Sequence, residues 1–399
     1  MVDLDLARGW RIACPEGHAV AAAELEAGLA ALGGRPGGEI AFELAPARVP
    51  GEGYRWEARP EAVRIEGAGR RGLLNGVAGL LDALGLGRPW PGRTELRSRP
   101  IAATAEAAPA LPGRCLILGH RAALAAAEDW IVWASRQRLN TVFVHVSTQP
   151  DPFGAAPEAL WLGQRDRLTA LVREHGMTLE HGGHLLPELV PEAALAAAGR
   201  GEPDALQRAV AAHARAHAEA DVLHLWGADT AADVRTGTEL SERALRVTNA
   251  VAEAVERVAP AATVASLAYH DTLALPAAVT PRPNVCLLWA PRERSYARPA
   301  DAEEDWALFE RHVAHYAAAG ARPPRVFEYY LDLILFDRGL PDLEAVMAAD
   351  LAAYAAAGVD TVQALMTAPG PWPDAHPNAE RFARLAWDPA AAERLPSQP

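Results

Sequence analysis

Two acidic residues lie where apolar runs end or are interrupted, positions that a carboxylate occupies at a cost unless it is paired or faces a site. Asp229 closes the run VLHLWGAD, which begins at Val222, and Glu328 lies inside RVFEYYLD, which begins at Arg325. Comparable runs carry His145; Glu180, His181 and His184; Trp226; Tyr269, His270 and Asp271; Trp289 and Arg292; Tyr329, Tyr330 and Asp332; and Gln363. Aromatic rings stack on the apolar faces of pyranose rings, and carboxylates move protons or attack an anomeric carbon, so this mixture suits chemistry on a sugar. On that reading Asp229 is expected to be a general acid and Glu328 a nucleophile or base. His145, His181, His184, Trp226, Tyr269, His270, Trp289, Arg292, Tyr330 and Gln363 are expected to bind the substrate. Tyr329 and Tyr330 point to opposite sides of a strand, so only one of them faces a site, and Tyr330 is the one assigned to it.

The histidines admit a second chemistry. His145, His181, His184 and His270, with Glu180 and Asp271, are residue types that ligate metals. Their spacing matches no zinc signature such as H-E-x-x-H, and Glu180 and His181, being adjacent, cannot both face inward. Hydrogen bonds to sugar hydroxyls account for the same residues, and neither metal nor cofactor is expected.

The elements that would position these residues follow from periodicity. WRIACP reads as a strand, His18 to Leu32 as a helix stopped by Gly33-Gly34, and EIAFEL as a second strand. GYRWEARPEAVRIEG alternates apolar and polar residues on both sides of Arg59-Pro60, as a hairpin with one buried face does. Leu73, Leu74, Val77, Leu80, Leu81 and Leu84 then keep helical spacing. From Arg114 the rhythm changes to short apolar runs alternating with amphipathic helices. Strands are expected from Arg114, Asn140, Thr178, Val222, Thr263, Asn284, Arg325 and Val359. The clearest helices are Ala122–Arg136, Arg165–His175, Ser241–Val258, Ala302–Ala319 and Leu343–Ala357. Strand–helix alternation over this length is the pattern of an α/β (β/α)8 barrel, a TIM barrel, whose site lies at the C-terminal strand ends. A doubly wound sheet is the alternative, but no G-x-G-x-x-G or P-loop follows a first strand. The stretch between His270 and Asn284 is rich in proline and holds no good helix, so one barrel helix is expected to be short or missing. The implied organisation is a small α+β domain over 1–90, a linker over 91–112, the barrel over 113–388 and a tail over 389–399.

Bulk properties narrow the partners. The chain has 399 residues, 50% hydrophobic and 22% charged, as an ordinary globular protein has. A net charge of -13 argues against nucleic acid, whose phosphates need a basic face. Three cysteines, Cys14, Cys115 and Cys286, are no disulfide framework, and the last two lie in apolar runs that read as buried strands. No apolar run approaches the ~20 residues of a membrane span, and the first residues lack the basic-then-apolar pattern of a signal peptide, so a cytoplasmic protein away from membranes is expected. Oligomeric state is open, a homodimer through the small N-terminal domain being one arrangement the sequence allows.

Several segments resemble a known superfamily. GYRWEARPEAVRIEGAGRRGLLNGVAGLLDALG, with Gly72 and Gly76 on its helix, resembles the domain that precedes the barrel in family 20 β-hexosaminidases and in α-glucuronidases. RCLILGH and WIVWASRQRLNTVFVHV resemble the first barrel unit of those enzymes, and the resemblance implies that Arg114 binds substrate and that Asn140 is the asparagine before strand two. SERALRVTNAVAEAVERVAPAATVASLAYHDTLALP is similar to uncharacterised barrel proteins that carry the same N-terminal domain. The resemblance implies a glycoside hydrolase acting on a carbohydrate, exo-acting on a small glycan, glycoside or uronide. It departs at strand four, where family 20 enzymes have Gly-Gly-Asp-Glu. Here HLWGADT puts Asp229 at the Asp position and Thr230 where the general-acid Glu stands. The alternatives are a carbohydrate-binding barrel without catalysis and, third, a metal-dependent sugar isomerase or deacetylase.

Overall fold

Alternation in the first hundred residues becomes a five-stranded sheet of order β1-β2-β4-β3-β7. Its strands are β1 (Trp10–Ala13), β2 (Ile40–Pro46), β3 (Tyr54–Arg59), β4 (Ala62–Gly67) and β7 (Thr104–Ala107). The structure, a computed structural model, describes every residue except 48, 89–90, 98, 147–156, 230–237, 337–338, 368–376 and 393–399. β3 and β4 form the expected hairpin, with Tyr54, Trp56 and Ala58 on its buried side. Helices α1 (Ala19–Ala31) and α2 (Gly69–Ala83) bring Leu25, Leu29, Leu73 and Leu80 onto Ile40, Phe42, Trp56 and Ile65 in one core. The G-x-x-x-G pair has a steric purpose. A Cβ on Gly72 would stand 2.7 Å from the Gly53 carbonyl, and one on Gly76 would stand 2.7 Å from the Ile65 side chain, so α2 lies against the hairpin only with glycine there.

The stretch 91–112 is more than a linker. It contains β6 (Glu95–Leu96), paired with the short β5 (Leu86–Gly87), and β7, which adds an edge to the sheet beside β3. Strand β7 is four residues long with no fully buried position, so it left no hydrophobic pattern to read. The expected tail begins with a 3-10 turn over Pro389–Ala392, and the rest of it lies outside the described residues.

The second unit is a closed barrel of eight parallel strands. They are β8 (Gly113–Leu118), β9 (Thr141–His145), β10 (Thr178–Gly183), β11 (Val222–Leu225), β12 (Thr263–Ala268), β13 (Val285–Trp289), β14 (Arg322–Leu331) and β15 (Thr361–Met366). The expected α/β (β/α)8 fold is therefore present, with each proposed strand in its place. Around it run α3 (His120–Ala125), α4 (Ala127–Arg136), α5 (Pro157–Leu162), α6 (Arg165–Glu174), α7 (Leu186–Leu189), α8 (Glu192–Gly199), α9 (Asp204–Ala216), α10 (Thr238–Glu256), α11 (Trp306–Ala318), α12 (Glu344–Ala356) and α13 (Pro377–Trp387). The single helix expected over Ala122–Arg136 is two, divided at Ala126, and only a 3-10 turn, His270–Thr272, follows β12. No helix among the described residues is long and apolar enough to cross a membrane.

Strand parity sorts the barrel into two cores. Cys115, Ile117, Phe143, Val222, Ala265, Cys286, Leu288, Phe327 and Tyr329 fill the interior. Leu116, Val142, Leu179, Leu223, Val264, Leu287, Trp289, Val326 and Tyr330 face the helices. Both barrel cysteines are thus buried and unbridged, and burial pushes the Cys286 thiol up to about 12.

Candidate functional site at the barrel mouth

The interior is polar below the mouth. Glu180 of β10 is fully buried, pairs with Arg325 of β14, and accepts from His224 Nε2 at 2.7 Å and Gln363 Nε2 at 2.6 Å. Arg325 and His224 hold the Glu180 carboxyl below its usual range against the cost of burial. His224 stacks on Phe143, ring centres 3.9 Å apart. This layer is a floor on which the mouth rests. Gln363, expected to touch substrate, belongs to the floor and does not line the mouth.

Above it, a cavity of about 340 Å³ is lined by His145, His184, Trp226, Asp229, Tyr269, His270, Arg292, Phe327, Tyr329, Asp332, Ile334, Leu365 and Thr367, among others. The structure thus brings together His145, His184, Trp226, Asp229, Tyr269, His270 and Arg292, all expected from the sequence. The backbone places several of them in unusual ways. Gly182 has φ +130, and a Cβ there would stand 1.9 Å from the His224 carbonyl, so β10 reaches His184 only through glycine. His270 has φ +45, a left-handed conformation uncommon outside glycine, and its Nδ1 lies 2.8 Å from Glu293 Oε1. His184 Nδ1 donates to the Gly227 carbonyl at 2.7 Å, which ties β10 to the segment carrying Asp229. Trp226 meets His184 at 5.2 Å and His145 at 6.0 Å between ring centres, and its Nε1 donor has no partner among the described residues. Arg292 stands 6.0 Å over the Tyr329 ring.

Asp229 is exposed at this rim, and its charge is felt by two neighbours. Burial lowers the His184 imidazole, and Asp229 opposes that. Burial raises the Tyr269 phenol, and Asp229 raises it further. Thr230, the residue standing where family 20 enzymes have a Glu, lies outside the described residues.

The second carboxylate of the cavity is Asp332. Its Oδ1 accepts from Thr367 Oγ1 at 2.8 Å and from the Ile334 amide at 2.9 Å. A β-bulge puts it there. Register shifts between Glu328 and Leu331, so Tyr330 and Leu331 both join the outer core and the chain re-enters the mouth at Asp332. Bulges commonly re-aim a side chain beside a site.

Glu328 is a correction. It alternates with the outward Val326 and Tyr330 and lies behind the barrel wall, fully buried. It accepts from Tyr354 Oη at 2.5 Å and Tyr296 Oη at 2.8 Å, and Arg294 Nη1 is 3.5 Å away. Burial pushes its carboxyl up, and Arg294, which also pairs with Asp350, opposes that. It does not line the mouth, where the sequence had placed it.

Parity corrects four more assignments. Tyr330 faces outward and donates to Asp350 Oδ2 at 2.8 Å, while Tyr329 takes the place in the cavity. Trp289 packs against Phe309 and His312 of α11. His181 lies on the outer side of β10 beside α9. Arg114, near the N-terminal end of β8, is fully buried and donates to the carbonyls of Leu111, Pro112 and Arg138 and to the carboxylate of Glu52. It fastens the barrel to the first domain, together with Arg71, which donates to Ser135 Oγ at 2.7 Å. Asn140 caps the same junction by accepting from the Arg114 amide at 2.9 Å. Residues that line the mouth without having been assigned to it are Leu267, Ala290, Phe327, Tyr329, Asp332, Ile334, Leu365 and Thr367. Phe327 and Tyr329 were recoverable from alternation once the parity of β14 was known, whereas Asp332 depends on the bulge.

With that geometry in hand, comparison with known proteins places the fold. The chain has the architecture of the family 20 hexosaminidases, an α/β domain followed by a barrel. The β-N-acetylhexosaminidase of Streptomyces coelicolor A3(2) aligns over 98% of this chain and 89% of its own, with TM-score 0.65 and 16% identity. A mutant β-hexosaminidase of Streptomyces plicatus in complex with GlcNAc aligns over 98% and 88%, with TM-score 0.63 and 16% identity. A family 138 enzyme targeting pectin rhamnogalacturonan II aligns over 96% of this chain with TM-score 0.59 and 12% identity, and this chain spans 51% of its length. Residues 227–396 match a family described as a domain of unknown function, DUF4838. No curated protein matches the chain.

Proposed function

We propose that this protein is an exo-acting glycosidase on a small glycan, glycoside or uronide, with Asp229 as general acid and Asp332 as the second carboxylate. One observation carries the reading. Two carboxylates, from the ends of the fourth and seventh barrel strands, line a single aromatic-walled cavity. Its volume, about 340 Å³, lies at the small end of ligand sites and suits a terminal sugar with its leaving group rather than a polymer. The structural neighbours named above are glycoside hydrolases, which supports the class.

In this mechanism Asp229, exposed beside His184 and Tyr269, protonates the glycosidic oxygen. Asp332, held by Thr367 and the Ile334 amide, presents negative charge to the oxocarbenium-like transition state. Trp226, Tyr269, Phe327 and Tyr329 stack on the ring, and Arg292 and His270 donate to its hydroxyls or to a uronate carboxylate. The family 20 pattern of an Asp–Glu pair on strand four is not invoked, because Thr230 occupies the Glu position.

The test is hydrolysis of a panel of aryl glycosides and glucuronides. The native protein is expected to turn over at least one, and Asp229→Asn to lose about a thousand-fold or more with an unchanged melting temperature. Near-normal turnover by Asp229→Asn on that substrate sinks the assignment. Ligand-induced thermal stabilisation of the native protein without turnover of any member points instead to a carbohydrate-binding barrel.

A further inference from the structure

Away from the mouth, three imidazoles meet on the outer side of the barrel wall. His181 projects from β10 toward the helices, and His213 and His217 stand one turn apart at the C-terminal end of α9, at the i,i+4 spacing that puts two side chains on one face. One ring nitrogen from each lies within 4.8 Å of the others. The ring centres of His181 and His217 are 4.1 Å apart, and those of His213 and His217 are 4.5 Å apart.

What sets this cluster apart is unmet hydrogen bonding. His181 is fully buried, and neither its Nδ1 nor its Nε2 has a partner. His213 Nε2 and His217 Nδ1 are likewise buried without partners. Glu219 Oε1 makes no hydrogen bond and lies 3.5 Å from His217 Nδ1 and 3.8 Å from Arg165 Nε. Three aromatic hydrocarbons would fill the same space without orphaned nitrogens, and a buried polar atom lacking a partner is costly. Protonation does not resolve the matter. Burial is the main cause that lowers all three imidazoles, helped at His181 by the neighbouring histidines and Arg165, at His213 by His217 and at His217 by Arg165, with Glu219 opposing it at His213. Neutral imidazole is the form that ligates a metal.

We propose that His181, His213 and His217 bind a divalent transition ion of the zinc type, with Glu219 orienting the His217 imidazole, and that the ion pins α9 to the barrel wall. Imidazole nitrogens favour zinc, nickel or copper over magnesium or calcium. A tetrahedral site with Zn–N bonds of about 2.0–2.1 Å needs nitrogens roughly 3.4 Å apart, so binding draws the rings together by small side-chain rotations. The site lies behind the wall, apart from the residues lining the mouth, so its role is structural and independent of any glycosidase activity.

The experiment uses the full chain, stripped with chelator and returned to zinc chloride or magnesium chloride. About one zinc per chain is expected after desalting, with a melting temperature raised by roughly 4 °C or more, and magnesium without effect. Cobalt(II) is expected to give the intense visible bands of a tetrahedral site. His213→Gln, on the partly exposed side, keeps the far-ultraviolet circular dichroism of the native chain and loses both the zinc and the thermal shift. Glu219→Gln retains zinc with affinity lowered by about 10- to 100-fold. A native chain that holds no zinc and shows no thermal shift overturns the proposal, as does equal zinc retention by His213→Gln.

Discussion

The mouth of the barrel and the layer behind β14 are built from the same residue types. Each has carboxylates, tyrosines, an arginine and histidines, yet they differ in how their polar groups are satisfied. Behind the wall, Glu328 is bound by Tyr354 and Tyr296, and Asp350 is bound by Tyr330, by Arg294 and by the Ala300 amide. At the mouth, Asp229 is exposed and lines the cavity. Carboxylates bound on all sides by protein groups hold structure together, and one that faces a cavity is available to a ligand. One strand, β14, supplies both: Phe327 and Tyr329 on one side, Glu328 and Tyr330 on the other.

Mutations on the two sides should therefore separate activity from stability. The largest effect is expected at the mouth. Asp332→Asn should cut turnover at least a thousand-fold, about 4 kcal/mol of transition-state stabilisation, while melting within a few degrees of the native chain. Steady-state kinetics beside calorimetry would read both, and an active Asp332→Asn would break the contrast from the mouth side.

Behind the wall, Glu328→Ala should leave the buried Tyr354 and Tyr296 hydroxyls without their acceptor, while Arg294 keeps Asp350, and cost about 2–3 kcal/mol in urea unfolding, since a buried polar group left unbonded costs about 1–3 kcal/mol. A Glu328→Ala chain of native stability that had lost turnover would reverse the assignment of this residue. A smaller effect comes from His312, in the outer layer beside Trp289, whose ring donates to the Leu273 carbonyl at 3.0 Å. Burial lowers it to about 4, so the folded chain resists a proton that the unfolded chain accepts near 6.5. Its share of the stability is complete above about pH 6.5 and is lost as pH falls toward 4, on the order of 2 kcal/mol. His312→Gln should flatten the melting temperature against pH over that window, and an unchanged slope would show that the imidazole titrates normally. Smallest of all, Tyr330→Phe should cost about 1 kcal/mol for its bond to Asp350 and leave sugar affinity unaltered, whereas Tyr329→Leu should weaken sugar binding with little change in stability. Equal effects on affinity would mean that the wall does not divide the strand's two faces functionally.

The amino-acid sequence by itself determined the order of elements. The 2.0 and 3.6 periodicities located the N-terminal hairpin, its two helices and eight barrel strands, because burial of one face leaves a local, readable pattern. It also collected most of the mouth, since residues at strand ends such as Asp229, Tyr269 and Arg292 converge in any closed parallel barrel. Which face each strand residue presents was settled only by the tertiary structure. Parity is a matter of register against neighbouring strands, and one bulge in β14 turned Asp332 into the mouth after Glu328 had gone to the wall. Arg114, which the resemblance implied would bind substrate, pairs instead with Glu52 of the other domain, and only folding brings the two together.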